Sequence, residues 1–163
     1  MAAKSAKPSK SEGQKEIATN PNARRNYFIE ETLEAGIVLQ GTEIKSIRAQ
    51  SPNLKDAYVS VNPKLEAFLF NVHIAPYTHG NQFNHEPLRP RKLLLHRREI
   101  EKVAVAIQRK GMTAVPTRMY FVKGRAKIEI GLAKGKKAHD KRQDQKERSA
   151  KREMDQARKR DRE

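Results

Sequence analysis

The sequence predicts a mainly β fold: a small antiparallel barrel with two to three flanking helices, bracketed by two basic ends of which the C-terminal one is disordered when free. Three observations carry this. Several short runs alternate apolar with polar residues between Gly, Pro and Asn signals, the period-two pattern of strands. Only two runs, near residues 45 and 103, repeat at helical spacing. The charge is also uneven. Of a net +16 over 163 residues, residues 1–25 hold six bases and two acids, and residues 134–163 hold thirteen bases and seven acids. These ends have almost no bulky apolar side chains, so they cannot bury enough surface to offset ordering entropy. The folded domain is therefore expected over residues 26–133, an ordinary domain size. Residues 1–25 are expected to be a flexible basic segment, and residues 134–163 a basic tail.

Along the chain, NYFIEETLEAGIVLQ (26–40) supplies β-formers at Tyr27, Phe28, Ile29, Leu33, Ile37, Val38 and Leu39. Its Glu-rich centre with Gly36 predicts one strand with a bend or bulge rather than two clean strands. GTEIKSIRAQ (41–50) sets Ile44, Ile47 and Arg48 at i, i+3 and i+4 with Thr42 as N-cap, a short helix ended by Ser51-Pro52-Asn53. AYVSV (57–61) and KLEAFLFNVHI (64–74) read as a hairpin turned at Asn62-Pro63. Residues 75–92 hold three prolines and a glycine between periodic segments. Such a long loop in a compact domain is usually functional or mobile. LLLHRREIEKVAVAIQRKG (93–111) is the clearest helix, with Ile100, Val103, Ala104 and Ile107 on one face, Glu99 and Glu101 early, Arg109 and Lys110 late, and Gly111 as the stop. MTAVPTRMYFV (112–122) and AKIEIGLA (126–133) are strands about Lys123-Gly124-Arg125, the second alternating Lys127 and Glu129 against Ile128 and Ile130. Five or six strands with short connections pair mostly antiparallel. With a helix between them they fit a barrel of the oligonucleotide-binding (OB) type.

The chain has no cysteine, which removes disulfide and thiolate chemistry. No apolar run has the length of a membrane span or follows the N-terminal lysines as a leader would. The basic excess points to a polyanion, nucleic acid first. A membrane fits less well, because no basic segment has an apolar face to insert. His79, His85 and Glu86 share the long loop, but three ligands on a loop without cysteine fall short of a zinc site, so neither metal nor cofactor is expected. Glu30, Glu31 and Glu34 lack a setting that would separate their pKa values for acid–base work. There is no Gly-x-Ser-x-Gly turn, and the Gly-Lys run around 131–137 lacks phosphate-loop spacing. No catalytic residue is expected. RPRKLLLHRR (89–98) interleaves six basic side chains, His96 included, with apolar ones, and Tyr27, Phe83 and Tyr120 are stackable rings, the combination RNA binding requires. A merely solvated basic surface is equally compatible with the composition.

Five stretches carry a more specific signal: NARRNYFIEETLEAGIVLQGTEIKSIR (22–48), NLKDAYV (53–59), EAFLFNVHIAPY (66–77), RPRKLLLHRREI (89–100) and KIEIGLAKGKKAHDKR (127–142). In this order they resemble the SmpB family, the SsrA-binding proteins of bacterial trans-translation. The resemblance implies an OB-type barrel that binds the tRNA-like domain of transfer-messenger RNA (tmRNA, the SsrA RNA). It implies delivery, with elongation factor Tu, to ribosomes stalled on an mRNA without a stop codon, by a cytoplasmic adaptor that acts as a monomer. By motif, the implied RNA-binding surface is Arg24, Arg25, Glu34, Gly41, Glu43, Lys45, Ser46, Arg48, Lys92, Leu94 and His96, where some relatives carry Asn in place of His96.

Lys45 and Arg48 suit phosphate directly. Glu34 can serve only by accepting from base or 2′-OH donors or by orienting cations. A turn for Gly41 and a place in the core for Leu94 are the alternatives. The resemblance also implies a ribosome-contacting tail, Lys134, Lys136, Lys137, His139, Asp140, Lys141 and Arg142, that probes the decoding region and the empty mRNA channel. In that tail Asp144 with Arg148, Glu147 with Lys151 and Asp155 with Lys159 stand at i, i+4. Each pair is worth about 0.2–0.5 kcal/mol, too little to hold a lone helix against its nucleation cost, so a helix is expected only on ribosomal RNA. The competing reading is a structural ribosomal protein whose basic tail threads ribosomal RNA.

Overall fold

Lys123 and Gly124 both take positive φ, +49° and +76°, and turn two eleven-residue strands into the antiparallel hairpin around which the rest is built. In the computed structural model, which describes residues 13–109 and 111–160, the order is β1 (Gln14–Thr19), α1 (Pro21–Asn26), β2 (Tyr27–Ile37), α2 (Gly41–Ala49), β3 (Tyr58–Val61), β4 (Ala67–Phe70), β5 (Arg91–Leu94), α3 (Arg97–Gln108), β6 (Met112–Val122), β7 (Arg125–Gly135) and α4 (Ala138–Arg160), with a 3-10 turn at Asn81–Phe83. Strand pairing runs β1-β6-β3-β4-β5-β2-β7, and β7 pairs again with β6. Six strands thus close a ring, every pair antiparallel. β1 lies outside the ring, on the half of β6 that β3 leaves free. The barrel is filled by Ala35, Leu69, Leu93, Met119, Ile128 and Ile130, and α3 buries Val103 and Ala106 against it.

β2 is the single irregular strand expected, but its register shifts between Ile29 and Glu31 rather than at Gly36. The β3–β4 hairpin turns at Asn62-Pro63, closed by the Asn62 side chain, which accepts from Glu66 N at 2.9 Å and donates to Glu66 Oε2 at 2.9 Å. Gly111 does not stop α3 as the sequence predicts: the helix ends at Gln108 with Arg109 extended as its cap, and Gly111, φ +77°, serves the turn into β6, where Met112 N donates to Arg109 O at 3.1 Å.

Four further expectations are corrected. The folded region does not start at residue 26: β1 pairs with β6 and α1 packs beside it. The basic composition of residues 1–25 hid two apolar contacts: Ile17 and Ala18 pack against the main core, and Ala23 is buried with Val115 and Ala133. It also hid Asn20, whose amide donates to Pro116 O at 2.9 Å and whose oxygen caps α1 at Asn22 N. Residues 1–12 of that segment lie outside the described residues. Leu93 and Leu94 do not open the third helix but belong to β5. That helix starts at Arg97, after His96, where Glu99 reaches back to His96 N at 2.9 Å. Thr42 does not cap α2; Gln40 holds the N-cap position, and its N–H donates to the Glu43 carboxylate. Finally, the tail is not irregular but a 23-residue helix without glycine or proline. None of the three expected i, i+4 pairs closes in it. Its first turns are tied instead, by Lys136 to Asp144 and by Lys137 N to the Asp140 carboxylate. At about 35 Å it exceeds the marginal length for a helix in water.

Candidate nucleic-acid interface

The N-terminus of α2 is fixed by a buried ion cluster. Glu43, fully inaccessible, accepts from Arg91 Nε at 2.8 Å, from Arg89 Nε and Nη2 at 2.9 and 2.7 Å, and from Gln40 N at 2.8 Å. Arg91, equally buried, spends its other nitrogens on Val72 O and Pro87 O. Burial pushes the Glu43 carboxyl up, but the donors of Arg89, Gln40 and Arg91 outweigh it and hold the group below its ordinary value. Ser46 donates to Ala75 O at 2.5 Å and is buried too. Glu43 and Ser46, expected on the RNA-binding surface, therefore face inward. They weld α2 to β5 and to the loop 75–90. The same loop is pinned by His85, buried between Thr42 Oγ1 and Ile74 O, each at 2.9 Å.

Four of the expected residues meet elsewhere. Glu34, Lys92, Leu94 and His96 line one open groove of about 630 Å³ with Gly36, Glu66 and Lys127. β2 contributes Glu34, β5 contributes Lys92 and Leu94, and the entry to α3 contributes His96. Leu94 is 56% exposed, so it is not core. Lys92 is bridged to Glu66 at 2.8 Å and Lys127 to Glu34 at 2.7 Å. The second Glu34 oxygen accepts from the Tyr120 hydroxyl. The Lys127 and Tyr120 donors keep Glu34 below the usual carboxylate range. Burial and the neighbouring carboxylate push the Tyr120 phenol up, so it remains a donor. Tyr120 is thus not a stackable ring but a covered anchor on the outer face of the barrel; the signal for that face is its place in β6 directly opposite Lys127.

The α2 side adjoins this groove. Leu94, Gly36 and Lys127 also line a more apolar hollow of about 450 Å³ with Val38, Ile44 and Phe121. Arg48 lies over the Phe121 ring at 5.7 Å and Lys45 over Tyr77 at 5.7 Å, both exposed. Gly41 begins α2 without positive φ, and a Cβ there would meet nothing within 4 Å. No turn or close packing inside the chain requires it.

Arg24 and Arg25 are not part of this surface. They are exposed at the end of α1, beside the root of α4. Here Lys136, its side chain only 6% exposed, donates to Arg24 O at 3.0 Å, sits 4.7 Å from the Phe28 ring centre and pairs with Asp144. Lys134, Lys137, His139, Lys141 and Arg142 are exposed around it. Tyr27 pairs with Gly135 at this end of the β2–β7 ladder and Gly36 with Lys127 at the other, so the root and the groove stand roughly 30 Å apart. Among the described residues no group of three or more His, Cys, Asp or Glu side chains could hold a metal, and no helix is long and apolar enough to cross a membrane.

Comparison with known proteins adds a family to this geometry. The family model for the SmpB protein matches residues 17–160. The SsrA-binding protein of Geobacillus thermodenitrificans (strain NG80-2) is 57% identical over 148 residues, 91% of this chain and 94% of its own length. That of Bacillus cereus (strain AH820) is 59% identical over 140 residues, 86% of this chain and 90% of its own. Among solved structures, a chain from a study of tmRNA-SmpB in the bacterial ribosome matches with a TM-score of 0.64 at 44% identity, over 75% of this chain and 85% of that one.

Proposed function

The chain belongs to the SmpB family, and from that premise we propose that it is an RNA-binding adaptor of trans-translation that binds the tRNA-like domain of tmRNA and delivers it to ribosomes stalled without a stop codon. The observation that carries the reading is the groove itself, where Glu34, Lys92, Leu94 and His96 converge from three elements. It offers a cation, a carboxylate acceptor, an imidazole and an exposed apolar side chain, the mixture that recognises folded RNA by sugar and base edges as well as phosphate. Gly41, Lys45 and Arg48 extend it along α2, with Gly41 leaving room for an RNA backbone to approach.

The tail root is the second contact. Arg24, Arg25, Lys134, Lys137, His139, Lys141 and Arg142 face the ribosome, and α4 runs into the decoding region and empty mRNA channel. Delivery with elongation factor Tu, action as a monomer and a cytoplasmic location belong to the same proposal. Binding to tmRNA and to an unrelated hairpin of equal length, titrated across salt concentrations, tests it. Tight, salt-sensitive preference for tmRNA is expected, and indifference between the two RNAs overturns it.

A further inference from the structure

Tyr120 is on the wrong side of its sheet for a buried residue. Ala35, Ile128 and Met119 lie across from one another on β2, β7 and β6 and are buried in the barrel. Alternation therefore puts Glu34, Glu129 and Arg118, and likewise Gly36, Lys127 and Tyr120, on the outer face. A tyrosine there should show its ring, yet Tyr120 is 2% exposed. Arg118 covers the ring, its guanidinium 4.9 Å from the ring centre and itself held by Glu129 at 3.0 Å. Over the hydroxyl, Glu34 and Lys127 meet. The phenol donates to Glu34 Oε2 and the ammonium to Oε1 at 2.7 Å.

One donor on each oxygen leaves lone pairs free on both. The carboxylate cannot turn without breaking two charge-assisted bonds. Because Glu34 lines the groove, those lone pairs are the ones that an N–H or O–H donor entering it would meet.

We propose that Tyr120 is a positioning residue for RNA recognition: it never touches RNA, but its hydroxyl sets the Glu34 carboxylate in the one orientation that accepts from the RNA. The inference rests on the groove being the tmRNA site. Its physical basis is preorganisation, since a side chain ordered before binding loses no rotamer freedom on binding. The buried ring also makes Tyr120→Phe a clean change, removing one oxygen and keeping the platform under Arg118.

The experiment is a double-mutant cycle on tmRNA binding with Tyr120→Phe, Glu34→Ala and the pair. Tyr120→Phe should weaken binding about three- to tenfold, Glu34→Ala at least as much, and the double variant no more than Glu34→Ala alone. Lys127→Met, which releases the other oxygen, should show the same non-additivity with Glu34→Ala, and that cycle tests the held carboxylate if Tyr120→Phe does not fold. Full affinity of a folded Tyr120→Phe, or losses that simply multiply in the double variant, overturn the role of Tyr120. Full affinity of Glu34→Ala overturns instead the reading of the groove as the tmRNA site.

Discussion

The two ends of the β2–β7 ribbon hold their charges differently. In the groove the cations are partnered, Lys92 with Glu66 and Lys127 with Glu34, and the carboxylate is held a second time by Tyr120. At the tail root, Arg24, Arg25, Lys134, Lys137, Lys141 and Arg142 are exposed and make no ion pair among the described residues. One buried side chain, Lys136, ties α4 to the barrel, and α4 has no buried residue of its own. Paired, oriented groups suit recognition of one RNA shape. Free cations on an exposed helix suit any phosphate backbone they can reach. Under the proposed function, one end would select the RNA and the other would dock on a larger one.

The largest expected effect comes from removing the unpaired end. A chain ending at Lys137 should lose at least about a hundredfold in tagging on stalled ribosomes while keeping tmRNA affinity within about twofold, since only ribosome docking would lose its phosphate contacts. Equal loss of both would merge the two regions into one site.

Next is the lock behind the groove. Glu43→Gln should cost about 3–5 kcal/mol in chemical denaturation, because it leaves buried Arg91 uncompensated. The wild-type Glu43 contribution has a definite pH window. Its folded pKa lies below the ordinary glutamate value. The stabilisation is therefore complete above the unfolded pKa of about 4.3 and is lost as pH falls through the folded value. A Glu43→Gln chain should show less of that acid-side loss.

Lys136→Met comes third. It removes the hydrogen bond to Arg24 O and the Asp144 pair but keeps contact with Phe28, and should reduce tagging about five- to tenfold with tmRNA binding unchanged, by letting α4 leave its direction. Smallest is Gly41→Ala. Stability should hold or rise by up to about 1 kcal/mol, since Ala outranks Gly in a helix. RNA affinity should fall two- to threefold if the open space at Gly41 is used by RNA. A gain in stability with unchanged affinity would assign the glycine no role in binding.

Much of the barrel was legible where local signals agree with the global fold. The Lys123-Gly124 turn and the alternation of Lys127 and Glu129 with Ile128 and Ile130 specify β6–β7 outright. β5 was not legible: four residues in a run of bases have no period of their own, and pairing with β2 and β4 makes them a strand. β1 and α1 are hidden by the basic composition of their segment, and the α4 helix by weak i, i+4 pairs that carry no trace of its clasp at Lys136. Within the site, the basic and apolar run 89–98 marks the stretch of Lys92, Leu94 and His96, but the choice of these residues and of Glu34 comes from family motifs, because the four are scattered over 63 positions. The resemblance could not say which motif residues face outward. Glu43 and Ser46 carry binding-type side chains, yet both are consumed inside. Tyr120 reads as a ring for stacking, and only its hydrogen bond to the Glu34 carboxylate shows it beneath that residue.

The most direct test of the separation is hydrogen exchange of the full chain with and without the isolated tRNA-like domain of tmRNA. Added protection should fall on residues 34–36, 92–96 and 127, while residues 24–25 and 138–160 exchange as in the free chain. Protection concentrated on the tail root, with the groove unchanged, would contradict the division of labour proposed for the two ends.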